Sequence, residues 1–200
     1  MKVVTEAKTK EEALAKALND LNLKEEEILY TEENIKGKLF KSGTIKIYAY
    51  PKTEILESIK KFILELVNNM GLEVSFETSI REDQFNIKMF SNNNSILIGK
   101  NGKTMKAIEM IAKQKIKTEY GLRVRIFLDV ENYNEKRIKQ LEKLAIFTAK
   151  EVVKSKMEVV LDNMNSYERR IIHNKLTNFK GVTTVSEGQE PNRHIIIKPE

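Results

Sequence analysis

Ile98-Gly99-Lys100-Asn101-Gly102 separates two stretches of helical periodicity, and its reading decides what kind of module the middle of the chain forms. A short helix is expected around residues 94–98, and a long one from about Lys103 to Tyr120, stopped by Gly121. The start of a helix presents unpaired N–H groups and a partial positive charge, which favour an anion. Two glycines let a phosphate approach the backbone with no Cβ in the way. Lys100 adds a cation there. In helical projection Met105, Ile108, Ile111, Ala112 and Ile116 share one arc, while Lys103, Lys106, Lys113 and Lys117 share the opposite one. A basic stripe opposite a buried face suits contact with a polyanion backbone. An ordinary tight turn beside a solvated lysine face is the competing reading, because a lone G-x-x-G is a weak signal.

The flanks sharpen the choice. Upstream, Ile55, Leu56, Ile59, Phe62, Ile63, Leu66, Val67 and Met70 form a helical stripe ended by Gly71. Strand patterns follow at 72–80 and 84–90, joined through Arg81-Glu82-Asp83, and a closing strand is expected over 122–130. The order is α-β-β-α-α-β. With the I-G-K-N-G loop between its last two helices, the segment 51–133 resembles the KH domain, in the topology whose extra helix and strand come first. That resemblance implies a clamp on the backbone of about four single-stranded nucleotides. It assigns Gly99, Lys100, Asn101, Gly102, Lys103 and Lys106 to nucleic-acid binding.

Downstream, Asn134 is expected to cap a third long helix, with Ile138, Leu141, Leu144, Ala145, Thr148, Ala149 and Val152 facing inward. A short strand (158–161) precedes Asn165-Ser166-Tyr167-Glu168, a capping box with Asn in the cap role, which opens a helix over 166–178. Strands at 182–186 and 194–198 end the chain. Arg169 and His173 stand four apart and therefore share a helical face, offering forked donors beside a planar ring. Such pairs also arise by chance. Together with the segment from Ser186 to Arg193, however, this helix resembles the R-three-H domain, named for that Arg and His, over residues 134–200. The resemblance implies single-stranded nucleic-acid binding through Arg169 and His173, with Arg193 as a third cation; His194 is expected to pack on the closing strand.

At the N-terminus, alternation over 2–7, a capping box at Thr9-Lys10-Glu11-Glu12, a helix carrying Ala13, Leu14, Ala17, Leu18 and Leu21, and strands at 28–31 and 44–50 form a βαββ unit. Lys36-Gly37-Lys38-Leu39-Phe40-Lys41-Ser42-Gly43 resembles the K-G-x-L-F-G-x-G segment of the Jag (SpoIIIJ-associated protein) family, departing from it at Lys41. All three modules in this order resemble that family. The expected fold is α+β, three small α/β modules in series: 1–50, 51–133 and 134–200. The resemblance implies an RNA-binding post-transcriptional regulator linked to cell elongation and the envelope, with single-stranded DNA as an open ligand. The alternative it implies is a membrane-proximal adaptor for a YidC-type insertase or cell-wall machinery, with a small KH-domain protein as partner; a homodimer also stays open.

Composition bounds these readings. An apolar share of 40% supports folded cores. No apolar run approaches the length of a membrane span, and the first residues lack the apolar core of a signal peptide, so a cytoplasmic chain is expected; recruitment to the membrane periphery is what the family resemblance adds. With no cysteine and two histidines, disulfides and the common zinc sites are excluded. Nucleotide-phosphate and hydrolase motifs are absent, so neither an enzyme nor a cofactor nor a metal site is expected. The net charge of +6 is uneven: residues 1–50 hold nine bases and nine acids, residues 51–133 thirteen and eleven, and residues 134–200 thirteen and nine. Six of the seven arginines lie beyond residue 120, where a polyanion partner is best served. Glu25-Glu26-Glu27 reads as a solvated helix start.

Overall fold

Helices and three small sheets alternate along the chain in the computed structural model, which describes residues 2–36 and 43–200. Most of the glycine-bearing segment 36–43, including Lys41, lies outside the described residues. The chain divides into two compact units, Met1–Glu131 and Asn132–Glu200.

In the first unit, β1 (Val3–Ala7), β2 (Ile28–Ile35) and β3 (Thr44–Pro51) form an antiparallel sheet in the order β1-β3-β2. Helix α1 (Lys10–Leu21) starts at Thr9, whose Oγ1 accepts from the Glu12 amide at 3.2 Å. It packs through Ala13 and Ala17 on Ala7, Ile28, Ile47 and Ala49, small side chains that let helix and sheet approach closely. Glu25–Glu27 forms a single 3-10 turn, closed by the Glu27 carboxylate on the Lys24 amide at 2.9 Å.

Strand β3 runs straight into α2 (Lys52–Asn69). Lys52, its first residue, is 8% exposed and donates to the Glu82 carbonyl at 2.7 Å and to Asp83 Oδ1 at 2.8 Å. It thereby holds the turn between β4 (Val74–Arg81) and β5 (Gln84–Ser91), where Glu82 adopts φ 52°. Tyr50 and Tyr120 meet edge to face, centroids 5.1 Å apart. The second sheet runs β4-β5-β6, with β6 (Arg125–Val130) parallel to β5. A parallel neighbour requires a crossover, supplied here by α3 (Asn94–Ile98) and α4 (Lys103–Tyr120). Phe85, Ile87, Met89, Ile126 and Leu128 form the buried face. Met105, Ile108, Ala112 and Ile116 of α4 are buried as expected, but Ile111, at the edge of that arc, is 45% exposed.

In the second unit, α5 (Tyr133–Ser155) begins after Asn132 rather than at Asn134. Glu131 and Asn132, at φ 49° and 62°, turn the chain sharply before the helix and so fix its start. Leu141, Ala145, Ala149 and Val152 of α5 join Ile172 and Leu176 of α6 (Ser166–Leu176) in one core, whereas Leu144 is 42% exposed. Strands β7 (Val159–Val160), β8 (Val182–Glu187) and β9 (His194–Pro199) pair antiparallel as β7-β9-β8. Asn165 and Glu168 form a complete capping box, and the second Glu168 oxygen accepts from Arg137 Nε of α5 at 2.8 Å. One buried carboxylate thus caps α6 and ties it to α5.

The Lys52 contact gives a stability test. Its hydrogen bond holds the Asp83 carboxyl below the usual range, so this contribution is present above the ordinary Asp pKa and is lost as pH falls through the depressed one. Asp83 is 58% exposed, which limits the effect to about 1 kcal/mol or less. In urea titrations Lys52→Ala should cost about 1–3 kcal/mol at neutral pH. The gap between the parent chain and Asp83→Asn should close as pH falls through the acid range. A gap independent of pH would remove the ion pair from the hairpin's stability.

Candidate nucleic-acid interface

Two separate sites emerge, one in each unit. The first is the turn between α3 and α4. Gly99 has φ 68° and ψ −179°, Asn101 φ 54° and ψ 34°, and Gly102 φ 76° and ψ 11°. A Cβ at Gly99 would lie 2.1 Å from Thr104 Oγ1, so the loop folds against the first turn of α4 only because residue 99 has no side chain. The Gly99 amide donates to Ser95 O at 2.9 Å, ending α3. No side chain caps the start of α4. Lys100 and Lys103 are exposed beside this uncapped end, with Asn101 half-buried and Gly102 buried between them.

The lysine stripe on α4 is not uniform. Glu109, 12% exposed, stands 2.7 Å from Lys113 Nζ and 3.7 Å from Lys106 Nζ, and its Oε2 accepts from the Leu128 amide of β6 at 3.3 Å. Lys106 therefore sits beside an internal carboxylate. Among the described residues, Lys100 and Lys103 make no such pair. Glu109 falls between these lysines on the helix, but its anchoring on the β6 amide is non-local and leaves no mark in the periodicity of α4.

The second site lies along the edge strand β8. His173 is exposed, with Nδ1 2.7 Å from Thr184 Oγ1. Arg193 is exposed, and its Nε donates to Ser186 Oγ at 3.1 Å. Thr184 and Ser186 are two apart on β8 and share a face, which sets His173 and Arg193 side by side. Arg169 is different. Its side chain is 10% exposed, and Nη1 donates to Met164 O at 2.7 Å and Glu190 Oε1 at 2.9 Å. Arg169 thus turns Nη1 inward onto two acceptors of its own unit, because a guanidinium this buried needs acceptors. Glu190, 21 residues along the chain, was not legible as its partner. His194 is half-buried on β9, its Nδ1 3.0 Å from Asn192 O.

Among the described residues no cluster of His, Cys, Asp or Glu forms a metal-ligand set, and no helix is long and apolar enough to cross a membrane. The R-three-H domain family model matches residues 139–199, the length of the second unit from within α5 to β9. RNA-binding protein KhpB of Clostridium symbiosum is 36% identical over 200 residues, covering 98% of this chain and 90% of that protein.

The chain belongs to the KhpB (Jag) family.

Its KhpB relative in Bacillus subtilis is 30% identical over 195 residues, 94% of this chain and 93% of that protein. The KhpB of Lactiplantibacillus plantarum is 32% identical over 136 residues, 68% of this chain and 42% of that protein. The resemblance carried by the three sequence modules and the family found by comparison are the same, and the α+β fold agrees with both.

Gly99 combines a clash on Thr104 with a backbone conformation that only glycine adopts readily, and a second glycine gives the comparison. Gly71 has a similar φ of 77° but open space where a Cβ would go. Gly71→Ala should cost about 1 kcal/mol through φ alone, and Gly99→Ala should cost about 1–3 kcal/mol more, from the Thr104 clash together with its φ 68°, ψ −179° backbone. Equal losses in thermal unfolding would mean that Thr104 does not fix the loop.

Proposed function

We propose that this KhpB-family chain binds single-stranded RNA and acts as a non-enzymatic post-transcriptional regulator. The observation that supports this most is the Gly99–Gly102 turn: left-handed backbone, a helix start with no side-chain cap and two lysines without an ion pair among the described residues together make a surface for a phosphate backbone. The relatives carry the name RNA-binding protein, in line with that reading.

The roles divide by geometry. Gly99 and Gly102 shape the turn, Lys100 and Lys103 meet phosphates, and Asn101 presents its amide beside them. Lys106 joins only by leaving Glu109. In the second unit His173 and Arg193 form the outward contact, while Arg169 acts as a positioning residue that holds the loop bearing Glu190 and leading to Arg193. Two modest contacts on one chain raise affinity through effective concentration. On this reading the modules are 1–50, 51–133 and 134–200. The finer expectations are a small KH-domain partner, a YidC-type insertase and recruitment from cytoplasm to the membrane periphery. They fall to the N-terminal module, whose nine bases and nine acids balance.

Fluorescence anisotropy with the full chain and a labelled oligouridylate tests the division. Lys100→Asp combined with Asn101→Asp keeps residues that tolerate the turn but adds carboxylates. Affinity should fall by roughly 1–3 kcal/mol per lost charge-assisted contact. Arg193→Ala should flatten log affinity against log salt by about 0.7 with stability intact. Arg169→Ala should lower stability first. Unchanged affinity in the folded double variant would rule out the turn as the clamp.

A further inference from the structure

The outward face of the β4-β5-β6 sheet breaks the alternation that its inner face obeys. Phe85, Ile87 and Met89 point into the core, so Gln84, Asn86, Lys88 and Phe90 point outward. The register places Arg81, Gln84 and Arg125 in one outward row and Ser79, Asn86 and Phe127 in the next. Phe127 is 43% exposed. The short side chain of Ser79 leaves that row open, and at the far end Lys88 Nζ lies 5.0 Å from the Phe90 centroid. An apolar ring on a solvent face is unexplained by packing.

Its neighbours indicate what it serves. Arg81 and Arg125 are exposed and make no direct ion pair among the described residues; Lys52 engages the Asp83 carboxylate, on which Arg125 acts only at longer range. Asn86 Oδ1 accepts from Gln84 Nε2 at 2.7 Å, which orients the Asn86 amide and leaves its N–H donors beside the ring. A ring for stacking, an amide for a base edge and unpaired guanidinium groups for phosphate are the components of a single-strand contact. A protein partner pressed on this face would bury two exposed arginines that have no direct ion pair, which is costly unless it supplied matching acids.

We propose that this sheet face is a further single-stranded nucleic-acid site, the second within its unit, with a base stacked on Phe127 and phosphate held by Arg81 and Arg125. The Gly99–Gly102 turn belongs to the helices packed on the opposite face, so one strand reaches both surfaces only by passing round the sheet edge. The ligand class rests on the function proposed above, but the residues are independent of that site.

The test uses the full chain and a labelled oligouridylate. Phe127→Leu removes the ring and keeps an apolar side chain, whereas Phe127→Tyr keeps the stacking face. Phe127→Leu should weaken binding roughly 5- to 100-fold, the scale of one lost base stack, without changing the salt slope, and Phe127→Tyr should bind like the parent. Arg81→Gln with Arg125→Gln should flatten the slope by about 0.7 for each phosphate contact removed. Native circular dichroism with unchanged affinity in Phe127→Leu overturns the site and leaves the face to a protein partner. If the Lys100/Asn101 double variant still loses affinity in that case, the loop reading survives. If neither variant loses affinity, both readings fail together.

Discussion

A side chain at residue 99 would occupy the space of the Thr104 hydroxyl, and much of the first unit's candidate chemistry depends on that exclusion. With glycine there, α3 ends, the chain passes through three residues at positive φ, and α4 begins without a side-chain cap. The same crossover brings β6 parallel to β5, so the turn that exposes Lys100 and Lys103 is also a link in the fold. A loop bound into its scaffold this way is pre-organised, and a ligand need not order it on binding.

The second unit obtains rigidity through buried charge. Glu168 is 4% and Arg169 8% exposed, adjacent residues of opposite sign that never pair with each other. Glu168 closes the capping box and accepts from Arg137. Arg169 ties the start of its helix to the loop before β9. Each charge has hydrogen-bonding partners, the condition under which burial is tolerated. The result is a frame that sets His173 and Arg193 along an edge strand while Arg169 works underneath.

Local signals were the legible ones. Thr9 and Asn165 each announced a helix start through a capping residue, and both side chains make that bond. The G-K-N-G turn and the order of elements around it were readable because glycine and periodicity act over a few residues. What escaped was non-local or depended on backbone sign. The burial of Arg169 follows from Glu190, far along the chain, and the restraint on Lys106 from a carboxylate shared with β6. Asn134 lost the helix start to Asn132 because two consecutive left-handed residues set the turn. Ile111 and Leu144 fit a helical stripe by angle, but the partner surfaces end short of them.

In the proposed binding mode, RNA meets the backbone of the turn between α3 and α4. Amide chemical shifts of the isotope-labelled chain, followed during titration with a single-stranded oligouridylate, test this residue by residue. The largest and earliest saturating changes should fall on the amides of Gly99 to Thr104, with a second set at His173 and Arg193. Saturable binding that leaves the Gly99–Thr104 amides unshifted would contradict the claim.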